Sequence, residues 1–544
     1  MSNIGKCYDL TDILTEMVYE SCGAYFALLN PSICKISDTA MNIDINNEYK
    51  YKKITKSIGI PFSQCTPKNA LYLICVRCVG NPSPIPISNP KLECCGPWHH
   101  YWKVLFDCTL FTTLYQNDDT FYINNEFLNI NINNQNPFSF YSPLKEDNLP
   151  LKKGNTNIIQ NMLNRLIDMR LMSYENDILM TFNVFLSKED LNNYPKGGKK
   201  PTKTTNTCDK TCGRMGVGIC TIDLINNALN INNLEIAFND YSENVEKNWT
   251  FFKKNAALYL SYGISGTHSG FHIEKLENGQ PTTKSSKYTT AMDVNNTNAH
   301  TAMDINTHPS INDANYTNES FIKEKKNVIT ETLEILETYD LIFSLSTPAI
   351  LYDDQNKTHL AVGHAKIKHS QIGNFANLNV FEAQKIAKYN TDLIKHSHYT
   401  YYLYFYTFNN ETFEVTSISN LISFNNDNEP FSIYFPSGLE KACNDSYIVS
   451  YGVGDVQTKL WLLTKKDINT LLIDSNKSKD QIRDHILKLH VVNHRPPHPP
   501  QKNTEMPNVH SGNSENNKIN AMEEGGGKSS LKSKKNKNKK KEKR

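Results

Sequence analysis

The chain is 544 residues long and has 58 Lys and Arg residues against 56 Asp and Glu residues, for a formal net charge of +2. Residues 528–544 hold ten Lys and Arg and one Glu, so this tail carries about +9 and the remainder about −7. The length allows a sizeable core. The net charge excludes the main body as a polyanion-binding surface and leaves weak polyanion contact open for the tail alone.

Thirteen cysteines are too few for a disulfide framework in a chain of this size, and their spacing does not form a zinc pattern. No phosphate-binding, dinucleotide or metalloprotease motif is present, so no cofactor and no metal are expected. The stretch MSNIGKCYDLTDILTEM lacks the apolar region of a signal peptide, and no run reaches the ~18–20 apolar residues of a membrane span. We therefore expect reduced thiols in a soluble, cytoplasmic protein.

The first predicted element is an amphipathic helix over residues 9–30, capped by Thr11, with apolar residues at helical spacing. Runs typical of β-strands follow, and Asn- and Asp-rich turns close them. One such run is a predicted hairpin over Arg170–Phe185. Successive antiparallel units with little helix between them predict an all-β fold, a propeller or a sandwich, and argue against a parallel α/β sheet.

Three polar segments interrupt the strands and set the predicted organisation. We predict an N-terminal helical segment (1–29), a β domain (30–477), a closing helix (478–492) and a disordered basic tail (493–544). Within the β domain, residues 188–214 and 278–318 are predicted insertions. The second contains a tandem echo, TTAMDVNNTNAH followed by HTAMDINTHPSIND.

Polar residues recur at the ends of the predicted strands. Strand ends from different blades of a propeller converge on its central cavity, so these groups are expected to meet there. They comprise Asp168 with Arg170, the triplet Lys247-Asn248-Trp249, the turn Thr347–Ala349 with Gly363-His364, and Asp455.

The order of these motifs resembles the five-bladed β-propeller clan of β-mannoside phosphorylases (glycoside hydrolase family 130) and the related mannosyltransferases and phosphorylases of glycosyltransferase family 108. The resemblance covers most of Asn30–Leu463 and implies a five-bladed propeller. The matching elements are Asn30–Ser32 with Arg77, Ile167–Arg170, Glu246–Trp249, Ser346–Ile350 with Gly363-His364, and Phe435–Gly438 with Tyr451–Asp455.

The resemblance also implies roles. Asp168 would be the catalytic general acid, protonating the departing glycosidic oxygen directly or through a sugar hydroxyl. Phosphate or the phosphates of a donor would be held by Arg77, Arg170, Lys247, Asn248 and His364. The sugar would be bound by Trp249, Tyr451 and Asp455.

The chain departs from the family pattern at several positions. Ile167 and Met169 flank Asp168 where the family has an acid and a proline. Ser261-Tyr262-Gly263 and Leu351-Tyr352 stand where the phosphorylases carry phosphate-binding cations. These departures favour inverting transfer of a mannosyl-type residue from a sugar-phosphate or nucleotide-sugar donor to a carbohydrate acceptor.

Several alternatives stay open. In function, they are a β-mannoside phosphorylase or hydrolase, an inactive glycan-binding propeller scaffold, and a nucleic-acid binder driven by the tail. In structure, Asp168 and Arg170 are equally typical of a surface ion pair. His364 is equally typical of a satisfied core histidine, and Asp455 of a turn residue.

Overall fold

The structure is a computed structural model whose described residues all fall within Met1–Pro496. It describes residues 4–23, 25–37, 51–54, 57–59, 69–83, 106–117, 120–132, 163–164, 166–174, 177–186, 214–225, 228–236, 250–255, 257–264, 271–277, 280–281, 326–389, 399–425, 433–442, 445–454 and 457–493.

The strands of the first half are β1 Lys6–Asp9, β2 Tyr25–Ser37, β3 Tyr51–Lys53, β4 Ser57–Gly59, β5 Asn69–Ser83, β6 Phe106–Asn117, β7 Thr120–Asn124, β8 Asn129–Ile132, β9 Leu163–Asn164, β10 Leu166–Tyr174, β11 Asp177–Leu186, β12 Arg214–Ile225 and β13 Ala228–Ile236. Those of the second half are β14 Thr250–Lys254, β15 Ala257–Gly263, β16 His272–Glu277, β17 Gln280–Pro281, β18 Leu341–Leu345, β19 Ile350–Asp353, β20 Thr358–Lys368, β21 Tyr399–Asn409, β22 Val415–Ser419, β23 Ile422–Asn425, β24 Tyr434–Lys441, β25 Ser446–Val453, β26 Gln457–Thr464, β27 Leu472–Asp474 and β28 His490–Asn493.

Helices are few in the described part of the chain. The α-helices are α1 Thr11–Cys22, α2 Val328–Glu337, α3 Ala376–Tyr389, α4 Lys465–Leu471 and α5 Lys479–Leu487. A 3-10 helix covers His369–Asn374. The expectation of a mostly-β chain is thus confirmed. None of the described helices combines the length and the apolarity needed to cross a bilayer.

The described strands form five sheets, and the first strands of their paths, β2, β10, β14, β18 and β24, follow one another along the chain. Sheet I has the order β2-β5-β6-β7-β3, sheet II β10-β11-β12-β13-β8 and sheet III β14-β15-β16-β17. Sheet IV has the main path β18-β20-β21-β22-β27, and sheet V has the order β24-β25-β26-β1-β4. The first four strands of every path pair antiparallel. Within the described ranges, none of the sheets closes on itself.

Sheet V joins the two ends of the described chain. Strand β1 lies antiparallel to β26, with Lys6 opposite Leu462 and Asp9 opposite Lys459. Trp461 on β26 is fully buried beside β1, and its indole Nε1 donates to the carbonyl of Ile4 at 3.0 Å. Residues 4–9 therefore complete a sheet whose other main strands come some 450 positions later.

The core lies between neighbouring sheets. Tyr8, Phe26 and Leu462 pack sheets I and V together with α1. Other clusters join sheets I and II, sheets III and IV, and sheets IV and V. Apolar residues fill both faces of many strands, and the residues of β25 are buried without exception. Such sheets are sandwiched between neighbours rather than half-solvated.

The predicted helices are longer than those observed. The N-terminal helix ends at Cys22 rather than at residue 30, because Gly23 takes a left-handed conformation and donates its N–H to the carbonyl of Tyr19. Thr11 does not cap this helix with its side chain; the Asp9 carboxylate accepts the N–H of Thr11 instead. At the other end α5 stops at Leu487, and residues 490–493 are a strand.

The predicted hairpin is present as β10 and β11, with Tyr174 opposite Asp177. The predicted insertions 188–214 and 278–318 and the tail 493–544 lie almost entirely outside the described residues.

Candidate active site

Asp168 projects from a β-bulge in β10. The pairing between β10 and β11 shifts register between Ile167 and Arg170, so Asp168 and Met169 fall out of the ladder. Asp168 has a φ of 51°, a left-handed conformation that Asp and Asn adopt more readily than other non-glycine residues. A bulge of this kind re-aims a side chain out of the regular alternation of the strand.

The carboxylate of Asp168 receives hydrogen bonds from three strands. Asn30 Nδ2, from β2, donates to Oδ1 at 2.7 Å, and Arg77 Nη1, from β5, donates to the same oxygen at 3.1 Å. Asn183 Nδ2, from β11, donates to Oδ2 at 3.2 Å. A guanidinium and two amide N–H groups favour the ionised form of a carboxyl group. Asp168 is therefore held as a carboxylate at the junction of sheets I and II.

Arg170 is buried beside this carboxylate and connects it to sheet IV. Its Nη1 donates to the main-chain carbonyl of Asp168 at 3.0 Å, and its Nε donates to the carbonyl of Ser346. Burial lowers the pKa of Arg170 to about 10, and the charge of Asp168 opposes that shift. The guanidinium thus stays protonated at neutral pH.

Ser346 continues the network to His364. Its hydroxyl lies 2.6 Å from His364 Nδ1. The imidazole is 2 % exposed and packs between two rings, with centroid distances of 5.4 Å to Tyr401 and 5.1 Å to Phe435. His364 is therefore linked to Asp168 through Ser346 and Arg170, and its burial fits the alternative of a core histidine that supports the site.

Of the residues predicted for the site, the structure brings together Arg77, Asp168, Arg170 and His364. The alternative of a surface ion pair between Asp168 and Arg170 is wrong. Both residues are shielded from solvent: Arg170 is buried, and Asp168, whose side chain is 15 % exposed, pairs with Arg77.

Tyr451 packs in the core of sheet V and not beside Asp168. Its ring stacks on Phe424 at 4.8 Å, its hydroxyl lies 3.7 Å from Cys7 Sγ, and the side chain is fully buried. That position gives Tyr451 no open face for a sugar. The remaining predicted residues, Lys247, Asn248, Trp249 and Asp455, lie outside the described residues.

Three residues of the network had no role assigned from sequence. Asn30 belongs to the Asn-Pro-Ser element, but that motif alone does not predict its contact with Asp168. Asn183 is an amide within the mostly apolar run DILMTFNVFL, and this is the signal in the sequence that marks it; in the structure it is fully buried. Ser346 precedes the predicted turn and carries no comparable signal.

The described part of the chain holds no group of three or more His, Cys, Asp and Glu side chains that would bind a metal ion. Cys34 of β2 and Cys75 of β5 are buried thiols. Burial raises the pKa of Cys75 to about 12 and that of Cys34 well above its usual value, and the nearby Glu440 adds to the rise for Cys34. Neither thiol is a nucleophile at neutral pH.

No protein-family model and no curated protein sequence matches the chain. Structure comparison gives matches to carbohydrate-active enzymes. A mannose phosphorylase from Leishmania mexicana in complex with phosphate ion has a TM-score of 0.33 and 9 % identity, over 85 % of this chain and 96 % of that one. A GDP-Man-dependent mannosyltransferase from Leishmania mexicana has a TM-score of 0.32 and 8 % identity, over 72 % and 80 %.

A third match comes from a study of the GH130 family of mannoside phosphorylases and its glycoside hydrolases that target β-1,2-mannosidic linkages in Candida mannan. It has a TM-score of 0.36 and 9 % identity, over 81 % of this chain and 86 % of that one. These structures belong to the clan that the motif order resembles.

Proposed function

We propose that the chain is an inverting glycosyltransferase that moves a mannosyl-type residue from a sugar-phosphate or nucleotide-sugar donor to a carbohydrate acceptor. The observation that carries the proposal is the set of hydrogen bonds that the Asp168 carboxyl group accepts from Asn30, Arg77 and Asn183, beside the buried guanidinium of Arg170. Phosphorolysis or hydrolysis of a β-mannoside is the alternative reaction.

The five sheets are proposed to be the five blades of a propeller. Their first strands contact one another in pairs, as expected for the inner strands around an axis. Ser32 of β2 donates to Ser437 of β24 at 3.0 Å. Thr250 of β14 donates to the carbonyl of Thr347, which follows β18, at 2.9 Å. Asp168 of β10 meets β2 through Asn30, as described above.

The state of Asp168 favours a role as general base in the transfer direction. The carboxylate takes the proton of the acceptor hydroxyl, directly or through a sugar hydroxyl. The acceptor oxygen then bonds to the anomeric carbon of the donor, and the bond from that carbon to the phosphate oxygen breaks with its electron pair. Phosphate or nucleoside diphosphate leaves, so no second carboxyl group is needed. In the reverse direction, the protonated Asp168 is the general acid.

Cationic groups stabilise the negative charge that develops on the leaving phosphate. Arg170 is proposed to supply a fixed positive charge next to Asp168, with His364 holding Ser346 and, through it, the guanidinium. Lys247 and Asn248 are proposed to contact the phosphates of the donor. Trp249 and Asp455 are proposed to bind the sugar by stacking and by hydrogen bonds to its hydroxyls.

The test is incubation of the protein with mannose 1-phosphate or GDP-mannose and a panel of sugar acceptors, with products identified by NMR. A mannoside formed with inversion from one donor supports the proposal and identifies the donor class. Release of mannose 1-phosphate from a β-mannoside in phosphate buffer would indicate a phosphorylase, and release of free mannose a hydrolase. Binding of a glycan with no turnover would indicate an inactive scaffold and overturn the proposal.

A further inference from the structure

The carboxylate of Asp168 is fixed at both of its oxygens by buried amides. We propose that Asn30 and Asn183 are positioning residues that set the orientation and ionised state of Asp168, and that Gly452 is required because it leaves room for Asn30. The inference rests on the proposed function, since it names the residues that prepare its base.

The two amides act on opposite oxygens. Asn30 donates to Oδ1, which Arg77 also contacts, and Asn183 donates to Oδ2. Rotation of the carboxyl group about its Cβ–Cγ bond would break contacts on both sides. Asp168 is therefore held in one orientation before any substrate binds, which is the preorganisation that proton transfer at a fixed atom needs.

The orientation of both amides is set by the charge of Asp168. Asn30 is 7 % exposed and Asn183 is fully buried. In the part of the chain that the structure describes, neither side-chain carbonyl oxygen has a hydrogen-bond partner. A buried acceptor without a partner is unfavourable, but turning either amide would point its oxygen at a carboxylate.

Asn30 itself is held in an unusual backbone conformation. Its φ is 50°, and the pairing of β2 with β5 shifts register between Leu29 and Ser32. The next two residues are anchored to sheet V: Ser450 Oγ donates to the carbonyl of Pro31 at 2.6 Å, and Ser32 Oγ donates to the carbonyl of Ser437 at 3.0 Å. The main chain therefore cannot carry Asn30 away from Asp168 without disturbing sheet V.

Gly452 packs so closely against Asn30 that a side chain at position 452 would not fit. A Cβ atom at position 452 would lie 2.8 Å from Asn30 Oδ1 and 2.9 Å from Asn30 N. Contacts below 3.0 Å force one partner to move, and because the second atom is main chain, either the backbone at Asn30 or the strand β25 must shift. Gly452, the glycine of the Tyr-Gly-x-x-Asp element, therefore leaves the space in sheet V that Asn30 needs to hold its amide on Asp168.

The experiment measures steady-state transfer by the full chain for Gly452→Ala, Asn30→Ser, Asn183→Ser and the double variant Gly452→Ala/Asn30→Ser. Gly373→Ala is the matched control, because an added Cβ there meets nothing within 4 Å. We expect kcat to fall about 10- to 100-fold in each single variant, with KM changed less than about threefold. The acidic limb of the pH–rate profile should move to higher pH in Asn30→Ser and Asn183→Ser, since each loses a donor to the ionised base.

Coupling distinguishes positioning from general damage. If Gly452→Ala acts through Asn30, the double variant should be no slower than Asn30→Ser alone. Folded variants with unchanged kcat and an unchanged pH profile would overturn the inference, as would additive losses in the double variant. If Gly452→Ala does not fold, the two serine variants carry the kinetic test.

If the protein transfers no sugar, the proposed function is refuted. The positioning role of Asn30 is then tested by crystallography. The structures of the wild type and of Gly452→Ala then decide it. Displacement of the Asn30 amide from Asp168 Oδ1 supports the positioning role, and an unmoved Asn30 refutes it.

Discussion

Arg77 Nη1 lies 3.1 Å from Asp168 Oδ1 across the boundary between two sheets, and the two side chains are only 6 % and 15 % exposed. Two charges shielded from water attract each other strongly, but their desolvation offsets much of that gain. Further hydrogen bonds to the ionic groups decide the balance, and here the amides of Asn30 and Asn183 supply them on the carboxylate side. The pair is therefore sensitive to the loss of either partner.

Substitution Arg77→Met leaves the Asp168 charge without its counter-ion. We expect it to lower the free energy of unfolding by about 3 kcal/mol, measured by urea denaturation. The matched control is Arg483→Met, because Arg483 pairs with Asp480 on the surface of α5 and is 44 % exposed; its expected effect is below about 1 kcal/mol. Equal losses in the two variants would contradict the view of a shielded, interdependent pair.

Substitution Asp168→Asn removes the proposed base while keeping the size and the left-handed preference of the residue. We expect the transfer rate to fall by about 10²- to 10⁴-fold. Asp354→Asn, at an exposed carboxylate on the turn after β19, is the control and should keep full activity. Comparable turnover in the two variants would remove Asp168 from the mechanism. Thermal melting of both proteins separates lost chemistry from lost fold.

His359 links stability to pH. Burial lowers its pKa to about 4, its Nε2 donates to the carbonyl of Lys253 at 3.1 Å, and the nearby charge of Lys254 lowers the pKa further. Because the unfolded chain takes up this proton near pH 6.5, stability is complete above that pH and falls as the pH drops towards 4. The expected loss over this range is about 1–3 kcal/mol.

The variant His359→Gln should not show this loss, because glutamine can keep the hydrogen bond to Lys253 and does not titrate. Denaturation midpoints measured between pH 7 and pH 4 test the difference. Wild type and variant share all other titrating groups, so the free energy of unfolding of the wild type should fall relative to that of the variant by about 1–3 kcal/mol as the pH falls from 7 to 4. Parallel curves would mean that His359 is protonated in the folded protein without cost.

Gly363 precedes His364 on β20 and has no room for a side chain. A Cβ atom would lie 2.4 Å from Tyr404 Cζ and 2.6 Å from the carbonyl oxygen of Ser344. Since the second contact is main chain in the neighbouring strand, Gly363→Ala should destabilise the protein by about 1–3 kcal/mol. Gly373→Ala, in the 3-10 helix, should change stability by less than about 0.5 kcal/mol. A melting temperature for Gly363→Ala equal to that of the control would show that β18 and β20 can part without cost.

Local patterns predicted the parts of the fold in which neighbouring segments pair. The hairpin β10–β11 follows from alternating apolar residues and a polar turn. The end of α1 was also visible, because Gly23 follows the last residue at helical spacing, although the helix was expected to run on to residue 30. The apolar residues that follow Gly23 form β2 and do not extend the helix.

The sequence alone did not predict which face of a strand meets the core, or which residues far apart in the chain contact each other. Tyr451 was expected to bind sugar, but all eight residues of β25 are buried. Alternation therefore cannot tell which face of such a strand meets a cavity and which meets the core. The bulge at Asp168, the amide of Asn183 and the hydroxyl of Ser346 depend on register and on loops from other sheets. No spacing within a single segment encodes those relationships.

Because β1 pairs with β26, the first strand of the chain cannot find its partner until most of the chain has been synthesised. Residues 6–9 leave the ribosome about 450 residues before their partner strand at 457–464. Until then this short strand has an unmatched edge towards sheet V, exposed to pairing with other nascent chains. A fusion that buries or stiffens this segment would therefore be expected to lower the yield of native protein even though it lies far from Asp168.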